Sequence, residues 1–203
     1  DIEQIRRKCC SKHEGREVFG LEDNLFVIIG VGRLNSIKKF DLLLEAFAKV
    51  HQVQSESILI IAGDGEEKDR LIHLAKKLGV EKSVRFLGNI ADVTKLYCAA
   101  DVLAVTSDTE SSSLVAIEAQ ACGTRCVLSA GVPKESVLLQ QTQKLGKNAT
   151  SETWCNALLN DSYKNTAVAS IEDYEVHNMS KKMKEIYLKY YSAYEEKRDV
   201  DTK

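Results

Sequence analysis

The chain predicts an α/β domain built on a parallel sheet with helices on both faces, and three observations carry that expectation. Short apolar runs without polar interruption alternate with segments whose apolar residues recur every three or four positions. The connections between them are a few residues long, and glycines stand where the runs stop. An uninterrupted apolar run is a strand buried on both faces, which only a sheet covered by helices provides. Crossovers of one hand then distribute the helices over both sides, and ligands of such sheets collect at the carboxyl ends of the strands.

Residues 1–20 are polar and basic, with Ile2, Ile5, Cys9, Val18 and Phe19 as the apolar spots; a short helix closing at Gly20 is expected. Residues 25–32 form the first buried strand and end in Gly-Val-Gly-Arg-Leu. Asn35 and Ser36 can cap a helix on which Phe40, Leu43, Leu44, Phe47 and Val50 share one face. Residues 58–62 form the second strand, which stops at Gly63-Asp64-Gly65, a turn with room for positive φ. The next helix opens with Glu66 and Glu67 and finishes with Lys76, Lys77 and Gly79, in agreement with the helix dipole. Residues 84–88 are a short strand, Asp92 caps a short helix through Tyr97, and residues 101–106 are the fourth strand. A helix from about Ser113 leads to a fifth strand ending near Leu128.

Beyond Leu128 the pattern loosens into a Gln- and Lys-rich region, residues 140–147. Residues 151–159 read as a helix, and a last helix over residues 180–194 places Met183, Tyr187, Tyr190 and Tyr194 on one stripe.

Net charge is 28 − 30 = −2, which gives no electrostatic case for a nucleic-acid partner, so a phosphate site must be local. Six cysteines show no C-x-x-C spacing and no pairing pattern, and the start carries no cleavable signal; thiols in a reducing cytoplasm are expected, with Cys122 and Cys126 in the core. The four histidines have no metal-ligand spacing, and no metal site is expected. No apolar run approaches the roughly 20 residues that span a bilayer.

The chemistry concentrates in residues 107–123. Glu110 and Glu118 stand eight positions apart with Ser111, Ser112 and Ser113 between them at a helix start. Unpaired N–H groups and the positive dipole end there suit an anion with hydroxyls beside it, a phosphate plus a sugar. Taken alone, Glu118 also reads as a core glutamate satisfied by backbone or arginine. Arg33 and Lys38 follow the first strand and would reach the same sheet edge, where a fork and a point charge clamp a diphosphate; by themselves they also read as surface cations. The full G-x-G-x-x-G fails because position 35 is Asn, which weakens a nicotinamide or flavin role, and no Walker-type lysine is present.

These residues resemble a known family. Gly32-Arg-Leu-Asn-Ser-Ile-Lys38 and Glu110-Ser-Ser-Ser-Leu-Val-Ala-Ile-Glu118-Ala-Gln-Ala-Cys-Gly-Thr124 are similar to the C-terminal, nucleotide-sugar-binding domain of family 4 glycosyltransferases of the polysaccharide-biosynthesis type. Those are retaining enzymes of the GT-B architecture, with two Rossmann-like domains. The resemblance implies that Arg33 and Lys38 hold the donor diphosphate and that Glu110 contacts sugar hydroxyls. It gives the ribose to Glu118, places backbone amides of Ser112, Ser113, Leu114 and Val115 on sugar and phosphate beside Gly32, and sets Gly88 and Asn89 at the base. Glu110, Arg33 and Lys38 are the implied catalytic group, with a UDP-sugar as donor substrate and no cofactor or metal. Departures from the family pattern are Ser111-Ser112-Ser113 for a frequent Gly-Phe-Gly, Lys39 for glycine and Arg125 for proline.

The implied organisation is a helical lead-in over residues 1–20, a Rossmann-like domain over 21–178, and a C-terminal helix over 179–203 that packs on an N-terminal, acceptor-binding domain. The implied partners are the nucleotide sugar and a saccharide or lipid-linked acceptor, at a cytoplasmic location on the inner membrane face, with self-association of the tyrosine stripe as a further expectation. A non-enzymatic Rossmann-type nucleotide-binding module and a nucleotide-sugar epimerase remain open alternatives at this point.

Overall fold

A computed structural model of the chain describes residues 2–160. The helix expected over residues 180–194, with its tyrosines, lies outside the described residues. The described elements are α1 (Ile2–Lys8), α2 (Lys12–Val18), β1 (Phe26–Val31), α3 (Phe40–Val53), β2 (Ser57–Ala62), α4 (Lys68–Lys77), β3 (Val84–Gly88), α5 (Thr94–Ala99), β4 (Val102–Val105), α6 (Leu114–Ala121), β5 (Arg125–Leu128), β6 (Gln143–Lys144) and α7 (Ser151–Leu159).

The strands form one six-stranded sheet in the order β3-β2-β1-β4-β5-β6, and every pairing is parallel. Strand order therefore reverses between β1 and β4. The helices that follow those two strands, α3 and α6, lie on opposite faces, and the loops leading to them border a crevice at the carboxyl ends of the strands.

Alternation along the buried strands sorts the core into two layers. Ile28, Leu59, Ile61, Val102 and Val127 face α3, α4 and α7, where Phe47, Leu71 and Trp154 pack against them. Val27, Ile29, Ile60, Leu103 and Leu128 face the other way, against Leu96 and Tyr97 of α5 and Ala116 and Ala119 of α6. A strand covered on both faces needs apolar residues at every position, which is why these runs carry no polar interruption.

The lead-in forms two helices instead of one, and both are joined to the sheet. Ser11 caps α2, and with Glu14 it completes a reciprocal capping box. A Cβ on Gly15 would lie 2.8 Å from the Ala99 nitrogen, so α2 meets α5 backbone to backbone. Arg16, 2% exposed, donates to the carbonyls of Ala99, Glu22, Asp23 and Leu25 and to Asp101 Oδ2. Asp101 Oδ2 in turn accepts the Val27 N–H at 2.7 Å, so one buried ion pair ties α2 to the start of β1 and β4.

The Gln- and Lys-rich region holds a strand that periodicity does not reveal. β6 has two residues, pairs among the described residues only with β5, and lies at the edge of the described sheet, where polar side chains are tolerated and a lysine discourages further pairing. Arg125 explains itself structurally: it is 5% exposed, and its guanidinium donates to the carbonyls of Ala157 and Leu158 at the end of α7. A cation there satisfies carbonyls that the helix leaves open.

Candidate functional site

The loops after β1 and β4 meet at the reversal of strand order. Asn35 caps a 3₁₀ turn over Ser36–Lys38 by accepting the Lys38 N–H at 3.1 Å. Thr106 donates its hydroxyl to the Lys38 carbonyl at 2.7 Å, and the Asp108 N–H donates to the Ile37 carbonyl at 2.8 Å. Lys38 Nζ then reaches Glu110 Oε1 at 2.6 Å, and the Ser107 hydroxyl donates to the same oxygen at 2.7 Å. Both contacts use Oε1; among the described residues Oε2 accepts no hydrogen bond, so half of this carboxylate stays available as an acceptor.

Gly32 lies under the lysine. A Cβ on Gly32 would meet the Lys38 side chain at 3.6 Å. At Gly63 a Cβ would sit 1.9 Å from the Gly32 carbonyl oxygen, and φ there is +137°, so glycine is the residue that lets the loops after β1 and β2 come together. Lys39 is the one non-glycine residue with positive φ among those described, at 52°, the position where the family pattern has glycine.

Glu118 stands in the second turn of α6, and its partner is neither backbone nor arginine: the Tyr97 hydroxyl donates to Oε2 at 3.0 Å. Tyr97 is 1% exposed; burial, reinforced by the Glu118 carboxylate, pushes its pKa far up, so the hydroxyl keeps its proton and serves as a donor. Serines lead into this helix. Ser113 is the N-cap, its N–H donates to Ser136 Oγ at 3.2 Å, and its own buried hydroxyl has no partner among the described residues. The next amides, Leu114 and Val115, have no intrahelical acceptor by helix geometry. Leu114 is 65% exposed, so the helix is less buried at its start than its sequence predicts.

A cleft of about 280 Å³ joins the ends of β1, β2 and β3, and its lining includes Gly32, Arg33 and Asn89. Gly88 closes β3 with φ at +68° and accepts the Gly63 N–H at 2.7 Å. A second cleft, about 370 Å³, opens at the ends of β4 and β5 beside Thr106, Ser107, Gly131 and Trp154. The predicted residues are thus brought to one sheet edge, with one exception in orientation. Arg33 is exposed, and its guanidinium pairs with Glu66 at 3.4 Å instead of joining Lys38.

Gln120 is a residue that spacing does not disclose. It is 0% exposed, donates to the carbonyls of Ala116 and Ser136, and accepts from the N–H groups of Leu138 and Leu139 and from the Thr142 hydroxyl. Both amide hydrogens donate and the oxygen accepts three hydrogen bonds, which fixes the segment after β5 against α6.

Comparison with known proteins gives the family. The sequence profile described as Glycosyl transferases group 1 matches residues 11–161. The chain belongs to this family. D-inositol 3-phosphate glycosyltransferase of Mycolicibacterium smegmatis is 40% identical over 131 residues, which cover 61% of this chain and 30% of that protein. N-acetyl-alpha-D-glucosaminyl L-malate synthase of Bacillus anthracis is 30% identical over 112 residues, covering 55% of this chain and 29% of that protein. Among solved structures, HepE of Anabaena in complex with UDP and glucose superposes with a TM-score of 0.66 at 27% identity, over 76% of this chain and 44% of HepE. The group 1 chain therefore spans about a third of the length of the curated relatives it matches. Its Rossmann-like sheet is the one expected of a GT-B half, and the crevice between β1 and β4 holds the two motifs through which the family resemblance is legible.

Proposed function

We propose that this domain is the donor-binding half of a retaining glycosyltransferase that moves a sugar from a nucleoside diphosphate carrier, a UDP-sugar, to a saccharide or lipid-linked acceptor. The observation that carries the reading is the meeting of Lys38 and Glu110 at 2.6 Å across the crevice, with Glu118 on the helix that comes next. HepE, a structural relative, holds UDP and glucose, which supports the donor class.

Each group then has a task set by its chemistry. Lys38 supplies a positive charge for the diphosphate, and the amides of Leu114 and Val115 add the positive end of α6. Arg33 joins them by leaving Glu66; both side chains of that pair are largely exposed, and such a pair is worth about 0–1 kcal/mol, so the reorientation is cheap. Glu110 accepts sugar hydroxyls through Oε2. Glu118, held by Tyr97 through one oxygen, offers the other to the ribose. Cations and amides fixed in place before the reaction stabilise the charge that develops on the departing diphosphate. No metal and no redox cofactor is needed for that role.

In the proposed organisation residues 21–178 bind the donor, residues 1–20 lead in, and residues 179–203 pack on an acceptor-binding domain, with the whole enzyme working in the cytoplasm. No helix of the described residues is long and apolar enough to cross a membrane. Calorimetry with uridine, guanosine and adenosine diphosphates and their sugars tests the reading. Uridine compounds bind best, and Glu118→Ala weakens them about 10- to 100-fold, the worth of about 1.5–3 kcal/mol for hydrogen bonds to a charged group. Unchanged affinity in that variant favours a nucleotide module in which this helix plays no part. Sugar transfer by the 203 residues alone would overturn the division into two halves.

A further inference from the structure

A cleft of about 400 Å³ opens at the amino ends of β4 and β5, at the other end of the strands, and contains none of the residues assigned to the donor. Beside it the fold gathers three thiols that spacing along the chain keeps apart. Cys9 comes directly after α1, Cys98 lies in α5, and Cys122 caps the end of α6. Their sulfurs all lie within 4.8 Å of one another, and Cys9 Sγ is 3.1 Å from Cys122 Sγ.

Tetrahedral zinc thiolates, with bonds of about 2.3 Å, hold their sulfurs roughly 3.8 Å apart. The Cys9–Cys122 distance of 3.1 Å is shorter than that, and no pair of the trio exceeds 4.8 Å, so ligand geometry requires shifts of about 1 Å or less. A further feature suits a metal. The Cys10 N–H donates to Cys98 Sγ at 3.4 Å, a backbone contact of the kind that orients a ligating thiolate. The cleft is lined by Cys98 and Cys122 together with Lys12 and Arg125, giving an entry path and room for a water.

We propose that Cys9, Cys98 and Cys122 form a binding site for a thiophilic divalent cation, zinc, with a water from the cleft as fourth ligand. Three sulfur–zinc bonds form and three thiol protons leave to solvent. The site fastens α1, whose own apolar anchor is Ile2 in a small cluster with Ile117, Ala121 and Leu139, to α5 and α6. It also sits directly behind the donor site: Cys98 is the neighbour of Tyr97, and Cys122 is one turn beyond Glu118. The proposal departs from the expectation from spacing that the chain has no metal site, and it is independent of the donor reading.

Cobalt titration of the reduced, chelator-stripped chain tests it. One Co²⁺ per chain binds, gives the thiolate charge-transfer and intense visible bands of a tetrahedral site, and is displaced by Zn²⁺. Zinc at about 100-fold over its Kd raises the melting temperature by about 5–10 °C. Cys98→Ser removes both effects, with far-UV circular dichroism confirming that it is folded, whereas Cys155→Ser, in α7 on the other face, retains both. Absence of cobalt uptake by the reduced wild type overturns the proposal whatever the variants do. So does retention of the thiolate bands in Cys98→Ser or their loss in Cys155→Ser.

Discussion

Removing one oxygen from the core should reach the donor site. Tyr97→Phe deletes the hydroxyl that donates to Glu118 Oε2 at 3.0 Å and leaves the ring, which is 1% exposed, in place. Hydrogen bonds to charged groups contribute about 1.5–3 kcal/mol, and the lower end applies because Glu118 is only partly buried and can recruit water. With a urea slope of roughly 2 kcal/mol/M, the unfolding midpoint falls by about 0.7 M. Uridine diphosphate affinity falls about 3- to 10-fold, since Glu118 loses the contact that orients it. A double-mutant cycle isolates the coupling. Glu118→Ala leaves the buried hydroxyl unsatisfied, so adding Tyr97→Phe in that background is neutral or stabilising. Equal costs of Tyr97→Phe in both backgrounds would refute the coupling on which the role of Glu118 rests.

Two other substitutions probe how the sheet edges are held. Arg16→Met strips four backbone carbonyls and Asp101 of a buried donor, and breaking a buried pair from one side costs about 3–5 kcal/mol; urea denaturation should show a large drop in midpoint, with loss under 1 kcal/mol contradicting the anchoring of α2. Lys39→Gly relieves a left-handed residue, worth about 1–2 kcal/mol, against about 0.4–1 kcal/mol for the looser unfolded chain and an exposed Lys39–Asp108 pair worth about 0–1 kcal/mol. The sum lies between a loss of about 1 and a gain of about 1.6 kcal/mol, so the melting temperature should move by only a few degrees, and a loss well beyond about 1 kcal/mol would contradict strain at this position.

How far the sequence was legible depends on the physical origin of each feature. The first five strands and α3, α4 and α7 are readable because burial on two faces, or on one face of a helix, imposes a period that a single segment displays. β6 is unreadable because its two polar residues enter the sheet through backbone bonds alone. The docking of α2 rests on one arginine and one glycine that look ordinary in a polar segment. Lys38, Glu110 and Glu118 were legible as a set because short loops after β1 and β4 must meet where strand order reverses. The partner of Glu118 was not, since Tyr97 lies 21 positions away on another helix. The outward turn of Arg33 and the gathering of Cys9, Cys98 and Cys122 likewise depend on tertiary neighbours.

The central claim is that a nucleoside diphosphate binds where β1 and β4 part. Amide chemical-shift mapping of the isotope-labelled chain during titration with uridine diphosphate tests it most directly. The account predicts saturable shifts confined to residues 32–38, 88–90 and 110–118, with Lys38→Ala abolishing them. Shifts centred instead on the cleft around Cys98, Asp101 and Gln141 at the other end of the strands would contradict it.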